Sequence, residues 1–453
     1  MEIKRDRYIS LLESKRGNGK IKIITGIRRC GKSYLMNVLF RKHLASIGVK
    51  DEHVIFIALD DDINAMLRNP LELGKYVRNL TKDDGVQYYV LLDEIQKVAT
   101  IHNPYLPDTE DATISFVDVL IGLNKQPNID IYVSGSNSKM LSSDIVTEFR
   151  DRGDEIRVPP LLFREFYDAF PSDKRYAWRE YAAYGGMPYV MHLQSHEGKA
   201  KYLKDLFELT YLKDVVERNK IKGQMSILED LLDVVASAIG SLTNSTRLSN
   251  TFQSDKHIKI KSDTISSYLN YFIDAFILEK AKRYDIKGRA YIGTPLKYYF
   301  SDVGLRNARL NFRQQEETHI MENILYNELS SRGFSVDVGV VEYNWKDDAE
   351  RSRRSQLEVD FVLNKADKRY YIQSAFTVAT QEKKDQELSK REAELTAREL
   401  KATAKETLVS KGLPASLADV LNYENAEACN KSIEAVEAAF REAVAAGVDE
   451  KLR

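Results

Sequence analysis

The sequence predicts an α/β fold built on a parallel sheet, and three features support that class. Residues 21–25 form a short apolar and β-branched run that leads into a glycine-rich loop and then into an amphipathic stretch at helical spacing. Further apolar runs at 53–59, 87–92 and 129–133 are typical of buried strands, and the first two lead into acidic residues. Buried strands that alternate with helical segments favour a parallel sheet.

The glycine-rich loop at 26–33 reads GIRRCGKS and fits the pattern G-x-x-x-x-G-K-[ST] at every required position. Its glycines allow backbone N–H groups to wrap around phosphate oxygens, and the following helix adds the positive end of its dipole. We expect Lys32 to reach the β- and γ-phosphates of ATP and Ser33 to bind Mg²⁺. The alternative is a glycine-rich turn with an unrelated lysine. The predicted nucleotide-binding residues are Gly26, Ile27, Arg28, Arg29, Cys30, Gly31, Lys32, Ser33 and Tyr34.

Two acidic residues directly follow the strand predicted at 87–92. An apolar strand that ends in Asp-Glu, downstream of a phosphate-binding loop, indicates an ATP-hydrolysing site. We expect Asp93 to hold Mg²⁺ through its water shell and Glu94 to polarise the attacking water. The alternative is an exposed acidic pair at the end of a strand.

Two further candidates lie downstream of the strand predicted at 129–133. Asn137 either orients the attacking water or caps a helix, because Asn is a favoured N-cap residue. Arg150 and Arg152 either stabilise charge on a neighbouring subunit's nucleotide, as arginine fingers do, or pair with Asp151 and Asp154. The first alternative for the arginines requires a homo-oligomer. Lys32, Glu94, Asn137 and Arg152 are therefore the predicted catalytic residues.

Composition excludes several classes of protein. The 453 residues suggest roughly three domains, and the net charge of −1 gives no global basic excess for nucleic acid. Two cysteines, far apart in sequence, offer no disulfide framework or metal cluster. The charged N-terminus lacks the apolar core of a signal peptide, and no apolar run approaches the ~20 residues that span a bilayer. We expect a cytoplasmic protein that has no membrane partner.

Several motifs in order resemble one family, namely GIRRCGKS, YVLLDEIQ, SGSNSKMLSS, PPLLFREF and YGGMP. They are similar to the prokaryotic AAA-like ATPases that carry a C-terminal domain of unknown function. The resemblance runs from about residue 5 to about residue 388. It implies a P-loop ATPase core at 1–170, a helical lid at 171–225, a winged-helix region and a nuclease-like domain. The family commonly has Gly before the arginine that matches Arg152, whereas this chain has Asp151.

Residues 226–310 are predicted to form the winged-helix domain. Helical patterns at 228–239, 245–250 and 261–272 precede alternating segments that suit a β-wing. A winged helix often places its second helix in the DNA major groove, so double-stranded DNA is a candidate partner. The alternative is a protein-docking module with solvated lysines. Nine basic residues make this a basic neighbourhood suited to phosphate contact, namely Lys256, Lys259, Lys261, Lys280, Lys282, Arg283, Lys287, Arg289 and Lys297.

Residues 311–388 resemble a restriction-endonuclease-like fold. That chemistry needs one acid on a first strand and an acid-x-lysine on a second strand. Asp360 suits the first position, with Glu358 near it and Glu322 as a helix ligand. The second position reads Gln-Ser-Ala at 373–375, which supplies neither the acid nor the lysine. We therefore predict a degenerate nuclease fold, truncated before its last elements and without nuclease activity.

The composition changes at the tail, residues 389–453, where alanine and glutamate dominate and helical periodicity is strong. The segment resembles the C-terminal half of phage scaffold-like minor structural proteins. On that interpretation the chain is a chimera. In the alternative, the tail is an independent helical appendage.

These observations lead to one function and two alternatives. The favoured function is Mg²⁺-dependent ATP hydrolysis, coupled to DNA or to a DNA-bound protein through the C-terminal domains. The first alternative is a nucleotide-gated switch with little turnover. The second is a scaffold or interaction protein that acts through the tail.

Overall fold

A computed structural model describes residues 2–82, 84–107, 112–135, 149, 152–221, 225–314, 316–346, 352–375, 400–423 and 425–452. The chain divides into two compact units, Met1–Ser374 and Ala375–Arg453. A search of the described residues finds no helix with the length and apolar character needed to cross a membrane. Asn137 and Arg150 lie outside the described residues.

The predicted parallel sheet is confirmed. Its five strands follow the order β2-β3-β6-β1-β7, and every neighbouring pair is parallel. A separate antiparallel ladder joins β4 to β5. The strands up to residue 157 are β1 (Ile21–Thr25), β2 (Val54–Ala58), β3 (Tyr88–Asp93), β4 (Ile101–His102), β5 (Thr113–Ile114), β6 (Ile129–Ser134) and β7 (Gly153–Arg157).

Helices cover both faces of this sheet. Helix α2 (residues 32–46) begins as α-helix at Lys32–Tyr34, continues as a π-helix over Leu35–Phe40 and ends as Arg41–Ser46. Short 3₁₀ segments lie at Asp51–His53, Asp62–Arg68 and Ile95–Lys97. The other helices are α1 (Asp6–Ser14), α3 (Pro70–Leu80) and α4 (Phe116–Leu123).

Side chains of the sheet alternate between two hydrophobic cores, because successive residues of a strand point to opposite faces. In β1, Ile23 belongs to one buried cluster together with Val133 of β6. Its neighbour Ile24 belongs to the other cluster together with Tyr132. All five residues of β1 are buried, so the strand that leads into the glycine-rich loop is fixed from both sides.

A helical region follows the first sheet. Helix α7 (residues 196–218) runs through His196–Leu206, a π-helical Phe207–Leu212 and Lys213–Arg218. Short 3₁₀ segments occur at Lys174–Tyr176 and Pro188–His192. The remaining helices are α5 (Phe163–Ala169), α6 (Ala177–Tyr184), α8 (Met225–Ser237), α9 (Ser245–Asp255), α10 (Ser262–Asp274), α11 (Val303–Arg309) and α12 (Glu317–Ser331).

The second five-stranded sheet crosses the predicted domain boundary at residue 310. Its order is β12-β11-β10-β8-β9, with β10 parallel to β8 and the other pairs antiparallel. The hairpin predicted as a wing therefore continues into the sheet of the nuclease-like region. The strands are β8 (Leu278–Asp285), β9 (Ala290–Phe300), β10 (Ser335–Lys346), β11 (Ser352–Lys365) and β12 (Lys368–Ile372).

The second unit has a small core of its own. Its described elements are a helix at residues 400–410, a 3₁₀ segment at Ala415–Val420 and the long helix Ala426–Leu452. Leu408, Ala418 and Cys429 are buried in one cluster, together with Ile433. The core of this unit thus combines alanine and cysteine with larger aliphatic side chains.

Candidate active site

The loop between β1 and α2 contains three residues with a positive φ. Gly26 and Gly31 have φ of 145° and 99°, and Arg29 between them has φ of 62°. A Cβ atom at Gly26 would lie 2.1 Å from the carbonyl oxygen of Val158, so that position requires glycine. Left-handed residues that alternate with right-handed ones can form a concave array of N–H groups, which suits an anion.

Lys32 lies at the start of α2 and is 4% exposed. Its ammonium group donates to the carbonyl oxygens of Gly26 at 2.9 Å and Ile27 at 3.1 Å. The ammonium is therefore held inside the loop that bears it. A phosphate group in the loop would meet both the amide array and this ammonium.

Asp93 ends β3 beside the end of β6, because the two strands are neighbours in the sheet. The hydroxyl of Ser134, the last residue of β6, donates to a carboxylate oxygen of Asp93. Burial raises the pKa of Asp93, while hydrogen bonds from Ser134 and Ser33 act in the opposite direction. The hydroxyl of Ser33 thus lies near the carboxylate of Asp93 at the carboxyl edge of the sheet.

Glu94 follows Asp93 with the left-handed φ of 53°. Such a conformation is unusual for a residue other than glycine, and it redirects the chain after the strand. The side-chain amide of Gln96 donates to the Glu94 carboxylate, and the Glu94 N–H approaches the Ser134 hydroxyl at 3.4 Å. The structure therefore brings Lys32, Ser33, Asp93 and Glu94 to one edge of the sheet.

A cavity of about 370 Å³ adjoins the loop on the side of Arg29. Tyr189 and Tyr202 contribute rings whose centroids are 5.0 Å apart. Aromatic walls of this kind suit a flat heterocycle. The lining residues are Ile3, Arg5, Arg29, Cys30, Gly31, Tyr34, Leu161, Pro188, Tyr189, His192 and Tyr202.

Arg5 connects the N-terminal segment to the back of the loop. Its guanidinium donates to the carbonyl oxygens of Cys30 at 3.3 Å and Pro159 at 3.0 Å, and it pairs with Glu165 at 2.9 Å. Arg5 is 4% exposed. Buried arginine is stabilised only when it is paired and hydrogen-bonded, as it is here, so this residue fixes one wall of the cavity.

Asp302 fixes another wall through the segment before Pro188. Its carboxylate accepts from the N–H groups of Gly186 at 2.6 Å and Leu305 at 3.0 Å. A Cβ atom at Gly185 would lie 2.2 Å from an Asp302 oxygen, and one at Gly186 would lie 1.9 Å from the Leu161 carbonyl oxygen. The double glycine of the YGGMP motif thus allows the chain to approach Asp302.

Comparison with known proteins agrees with this geometry. Residues 18–167 match the family described as AAA domain. An uncharacterized protein of Haemophilus influenzae is 30% identical over 381 residues, which cover 83% of this chain and 87% of that protein. The chain belongs to the AAA-like P-loop ATPase family. A second uncharacterized protein, from Methanocaldococcus jannaschii, is 29% identical, with 80% and 75% of the two chains covered.

Other parts of this AAA-like ATPase match further families. Residues 175–316 match a domain of unknown function, and residues 362–453 match the capsid assembly scaffolding protein Gp46. The expected phage scaffold-like segment is thereby confirmed. Among solved structures, a Walker-type ATPase of Pyrococcus abyssi is 13% identical, covers 68% of this chain and 96% of its own, and has a TM-score of 0.46. AMPPCP-bound DnaA from Aquifex aeolicus is 17% identical, with coverage of 60% and 89% and a TM-score of 0.28.

The remaining predicted residues of this AAA-like ATPase lie in different places. Ile27 and Cys30 are buried, and the Cys30 thiol donates to the Val158 carbonyl oxygen at 3.1 Å. Tyr34 is 39% exposed at the rim of the cavity. Arg152 is exposed and precedes β7, whose amino end lies beside Ile21. Because the loop follows the opposite end of β1, Arg152 is not near the loop of its own chain.

The carboxylates predicted for a nuclease-like site are engaged within the protein. Glu322 and Glu358 both contact the Lys297 ammonium, at 2.8 and 2.6 Å. Asp360 accepts from the backbone N–H of Ser374 at 2.7 Å and from its hydroxyl at 2.6 Å. Lys297 is 2% exposed. The buried lysine thus offsets part of the negative charge of Glu322 and Glu358.

Two of the nine basic residues predicted to suit phosphate contact are buried. Arg283 and Lys297 are 5% and 2% exposed, so neither can reach a ligand on the surface. Lys256 is paired with Asp230 at 2.8 Å. The remaining basic side chains are exposed, namely Lys259, Lys261, Lys280, Lys282, Lys287 and Arg289.

Proposed function

We propose that this AAA-like protein binds ATP and hydrolyses it with Mg²⁺. The observation that carries the proposal is the convergence of Lys32, Asp93 and Glu94 at the carboxyl edge of one parallel sheet. Ligands of open α/β sheets bind outside the carboxyl ends of the strands. The concave amide array between Gly26 and Gly31 supports triphosphate binding at that edge.

The aromatic cavity beside Arg29 supports a nucleoside on the other side of the loop. Tyr189 and Tyr202 would pack against the base, since base–aromatic stacking contributes about 1–3 kcal/mol. Buried hydrogen bonds of Arg5, and of Asp302 to the segment before Pro188, hold parts of the cavity wall. A preformed cavity reduces the ordering cost of binding.

The residues at the end of β3 and β6 fit Mg²⁺. Ser33 and Asp93 supply hydroxyl and carboxylate oxygens, which are the ligands this hard cation prefers, and Ser134 orients the carboxylate. When bound, Mg²⁺ would neutralise charge on the phosphate oxygens.

Glu94 would activate the attacking water. In the proposed reaction a water oxygen attacks the γ-phosphorus, and its proton passes to the Glu94 carboxylate. The bond from the γ-phosphorus to the β–γ bridging oxygen breaks, which yields ADP and inorganic phosphate. Gln96 holds Glu94 by a hydrogen bond to its carboxylate, so the base is oriented before water arrives.

The test is ATP turnover by the full-length protein, alone and with substitutions. Lys32→Ala should weaken ATP binding more than about tenfold, because a charge-assisted phosphate contact is lost. Glu94→Gln should retain binding and lower turnover by about 10²-fold or more. Glu52→Gln is the matched control, because Glu52 precedes β2 at the amino edge of the sheet and is exposed.

Three outcomes separate the functions. Turnover that both substitutions abolish supports an ATPase. Intact binding without turnover in the wild type favours the nucleotide-gated switch. Equal turnover in Glu94→Gln and the wild type would contradict the role given to Glu94.

DNA coupling is a second proposal, and the exposed basic side chains of 226–310 favour it. Helices α8, α9 and α10 precede the β8–β9 hairpin, and Thr243 pairs with Leu296 of β9. That order supports the winged-helix interpretation. Lys287 and Arg289 lie in the turn between β8 and β9, where a phosphate backbone would meet them.

Double-stranded DNA should stimulate turnover if this second proposal is correct. Replacing both Lys287 and Arg289 with Glu should weaken DNA binding. The slope of log K against log salt should become shallower by the amount that about two phosphate contacts contribute. Lys50→Glu, at the amino edge of the first sheet, is the control for added negative charge. Stimulation that is unchanged in the double variant would exclude the hairpin as the contact.

A further inference from the structure

Arg28, in the middle of the phosphate-binding loop, is held by helix α7. Its guanidinium nitrogen Nη1 lies 3.0 Å from each carboxylate oxygen of Asp214. The Tyr211 hydroxyl, one turn earlier on the same helix, donates to the Arg28 carbonyl oxygen at 2.8 Å. One loop residue is thus bound to α7 through both its side chain and its backbone.

The position of Arg28 in the chain places this contact beside the proposed phosphate site. Arg28 is the third residue of the loop 26–33, which follows the carboxyl end of β1. Burial raises the pKa of Asp214, the Arg28 guanidinium opposes that rise, and the carboxylates of Glu217 and Glu94 add to it. The Arg28–Asp214 pair therefore belongs to the loop that would hold the phosphates.

Helix α7 holds Asp214 in a defined position. Tyr211, Leu212 and Val215 are 3%, 0% and 1% exposed, so the helix is anchored in the core on both sides of Asp214. The preceding segment, Phe207–Leu212, is a π-helix, a distortion often found at functional positions. The Arg28 side chain itself is 40% exposed, which leaves it room to turn.

We propose that Arg28 is a γ-phosphate-binding residue and that Asp214 holds its side chain until a nucleoside triphosphate binds. The inference rests on the ATP site proposed above. A guanidinium group binds carboxylate and phosphate with the same fork of N–H donors, so it can exchange one for the other. ADP has no γ-phosphate and leaves the pair with Asp214 intact. ATP opens it and leaves α7 joined to the loop through Tyr211.

The neighbouring Arg29 provides a matched control within the same loop. It lines the aromatic cavity rather than facing Asp214. Its removal should weaken ADP and triphosphate binding alike, because both nucleotides carry the same base and ribose. Removal of Arg28 should affect the triphosphate selectively.

The experiment compares affinities of the full-length protein for ADP and for the non-hydrolysable analogue AMPPNP, both with Mg²⁺, by calorimetry. Arg28→Ala should weaken AMPPNP about tenfold more than ADP and lower kcat for ATP, since hydrogen bonds to charged groups are involved. Asp214→Asn should shift the ratio the opposite way, because Arg28 is freed from its competing partner. Arg28→Lys should restore part of the preference for AMPPNP over ADP. The variant that combines Arg28→Ala with Asp214→Asn should behave like Arg28→Ala.

If Arg28→Ala and Asp214→Asn shift the ratio of AMPPNP to ADP affinity in opposite directions, Arg28 does more than stabilise the fold. A general folding defect would weaken the binding of both nucleotides. The role of Arg28 would be contradicted if Arg28→Ala left the ratio of AMPPNP to ADP affinity unchanged, or if both variants shifted that ratio in the same direction. In either case, nucleotide binding by the wild type would still support the proposed ATP site. A wild type that bound neither nucleotide would overturn the ATP site itself and this inference with it.

Discussion

Asp302 is a buried carboxyl group whose ionisation is linked to stability. Burial raises its pKa from 3.8 to about 6, and hydrogen bonds from the backbone N–H groups of Gly186, Leu305 and Gly304 oppose that rise. The folded state therefore binds this proton more tightly than the unfolded state does. The resulting stabilisation is complete below about pH 3.8 and is lost as pH rises through about 6, with a total on the order of 3 kcal/mol.

We expect the wild type to lose stability relative to Asp302→Asn as pH rises from 4 to 6.5. The substitution removes the titrating group, so the difference between the two melting temperatures isolates this residue from other carboxylates. Thermal unfolding at half-unit pH intervals measures it. Parallel curves over the whole range would contradict the raised pKa.

Gly26 permits a second prediction for a single residue. Ala at this position would place a Cβ atom 2.1 Å from the Val158 carbonyl oxygen, and the backbone φ of 145° disfavours any side chain. We expect Gly26→Ala to weaken ATP binding more than about tenfold by distorting the loop. Gly48→Ala is the control, because its φ is also positive at 91° and nothing lies within 4 Å of its Cβ. Equal affinities in both variants would exclude the clash as the cause.

Short sequence patterns predict residues that lie close in sequence to a buried strand. Lys32, Asp93 and Glu94 could be assigned because each lies at a fixed position relative to an apolar strand. Ser134 lies in the same polar stretch as Asn137, three residues earlier. Its hydrogen bond to Asp93 depends on the pairing of β3 with β6, which the sequence does not reveal. Asp302 approaches Gly186 across more than a hundred residues, and no local signal indicates such a contact.

The second sheet depends on a close approach between its strands. A Cβ atom at Gly339 of β10 would lie 2.7–2.9 Å from side-chain atoms of Val362, Ile286 and Val359. We expect Gly339→Ala to destabilise the protein by about 1–3 kcal/mol through overpacking. Gly293→Ala in β9 should change stability by less than about 0.5 kcal/mol, because nothing lies within 4 Å of that Cβ. Urea unfolding followed by circular dichroism would compare the two, and equal midpoints would contradict the crowding at Gly339.

The elements themselves were easier to predict than their pairing. The parallel first sheet follows from buried strands and their order. In the second sheet, β10 pairs with β8 across the helix α12, and the sequence contains no register signal for a contact over that distance. The boundary at residue 310, which the family resemblance implied between a winged-helix and a nuclease-like domain, therefore divides strands that hydrogen-bond to one another.

At the scale of the molecule, the two compact units allow a test by truncation. The candidate active site lies wholly within Met1–Ser374, and the tail has a separate cluster around Leu408 and Cys429. We expect a chain ending at Ser374 to retain ATP turnover within about twofold, since the residues of the candidate site all belong to the first compact unit and compact units commonly fold alone. Steady-state assays on the truncated and full-length proteins measure this. A loss of turnover in a truncated chain with native circular dichroism would assign the tail a part in hydrolysis.

The change in composition at Ser389 placed the start of the tail later than the division between Ser374 and Ala375. Alanine and glutamate signal helix, but they do not mark the last strand that belongs to a sheet. The match to the scaffolding family begins earlier still, at residue 362, within β11. Composition alone therefore does not locate the boundary between the last strand of the sheet and the helical tail.

Both native thiols are inaccessible, Cys30 at 0% and Cys429 at 3% exposure. Towards maleimides and iodoacetamides the folded chain should behave as though it contained no cysteine. A single thiol introduced at Lys213, which is exposed on α7 beside Asp214, would then accept a fluorophore without competition. With the single substitution Lys213→Cys, the chain could therefore be labelled for spectroscopy on the helix that contacts the phosphate-binding loop.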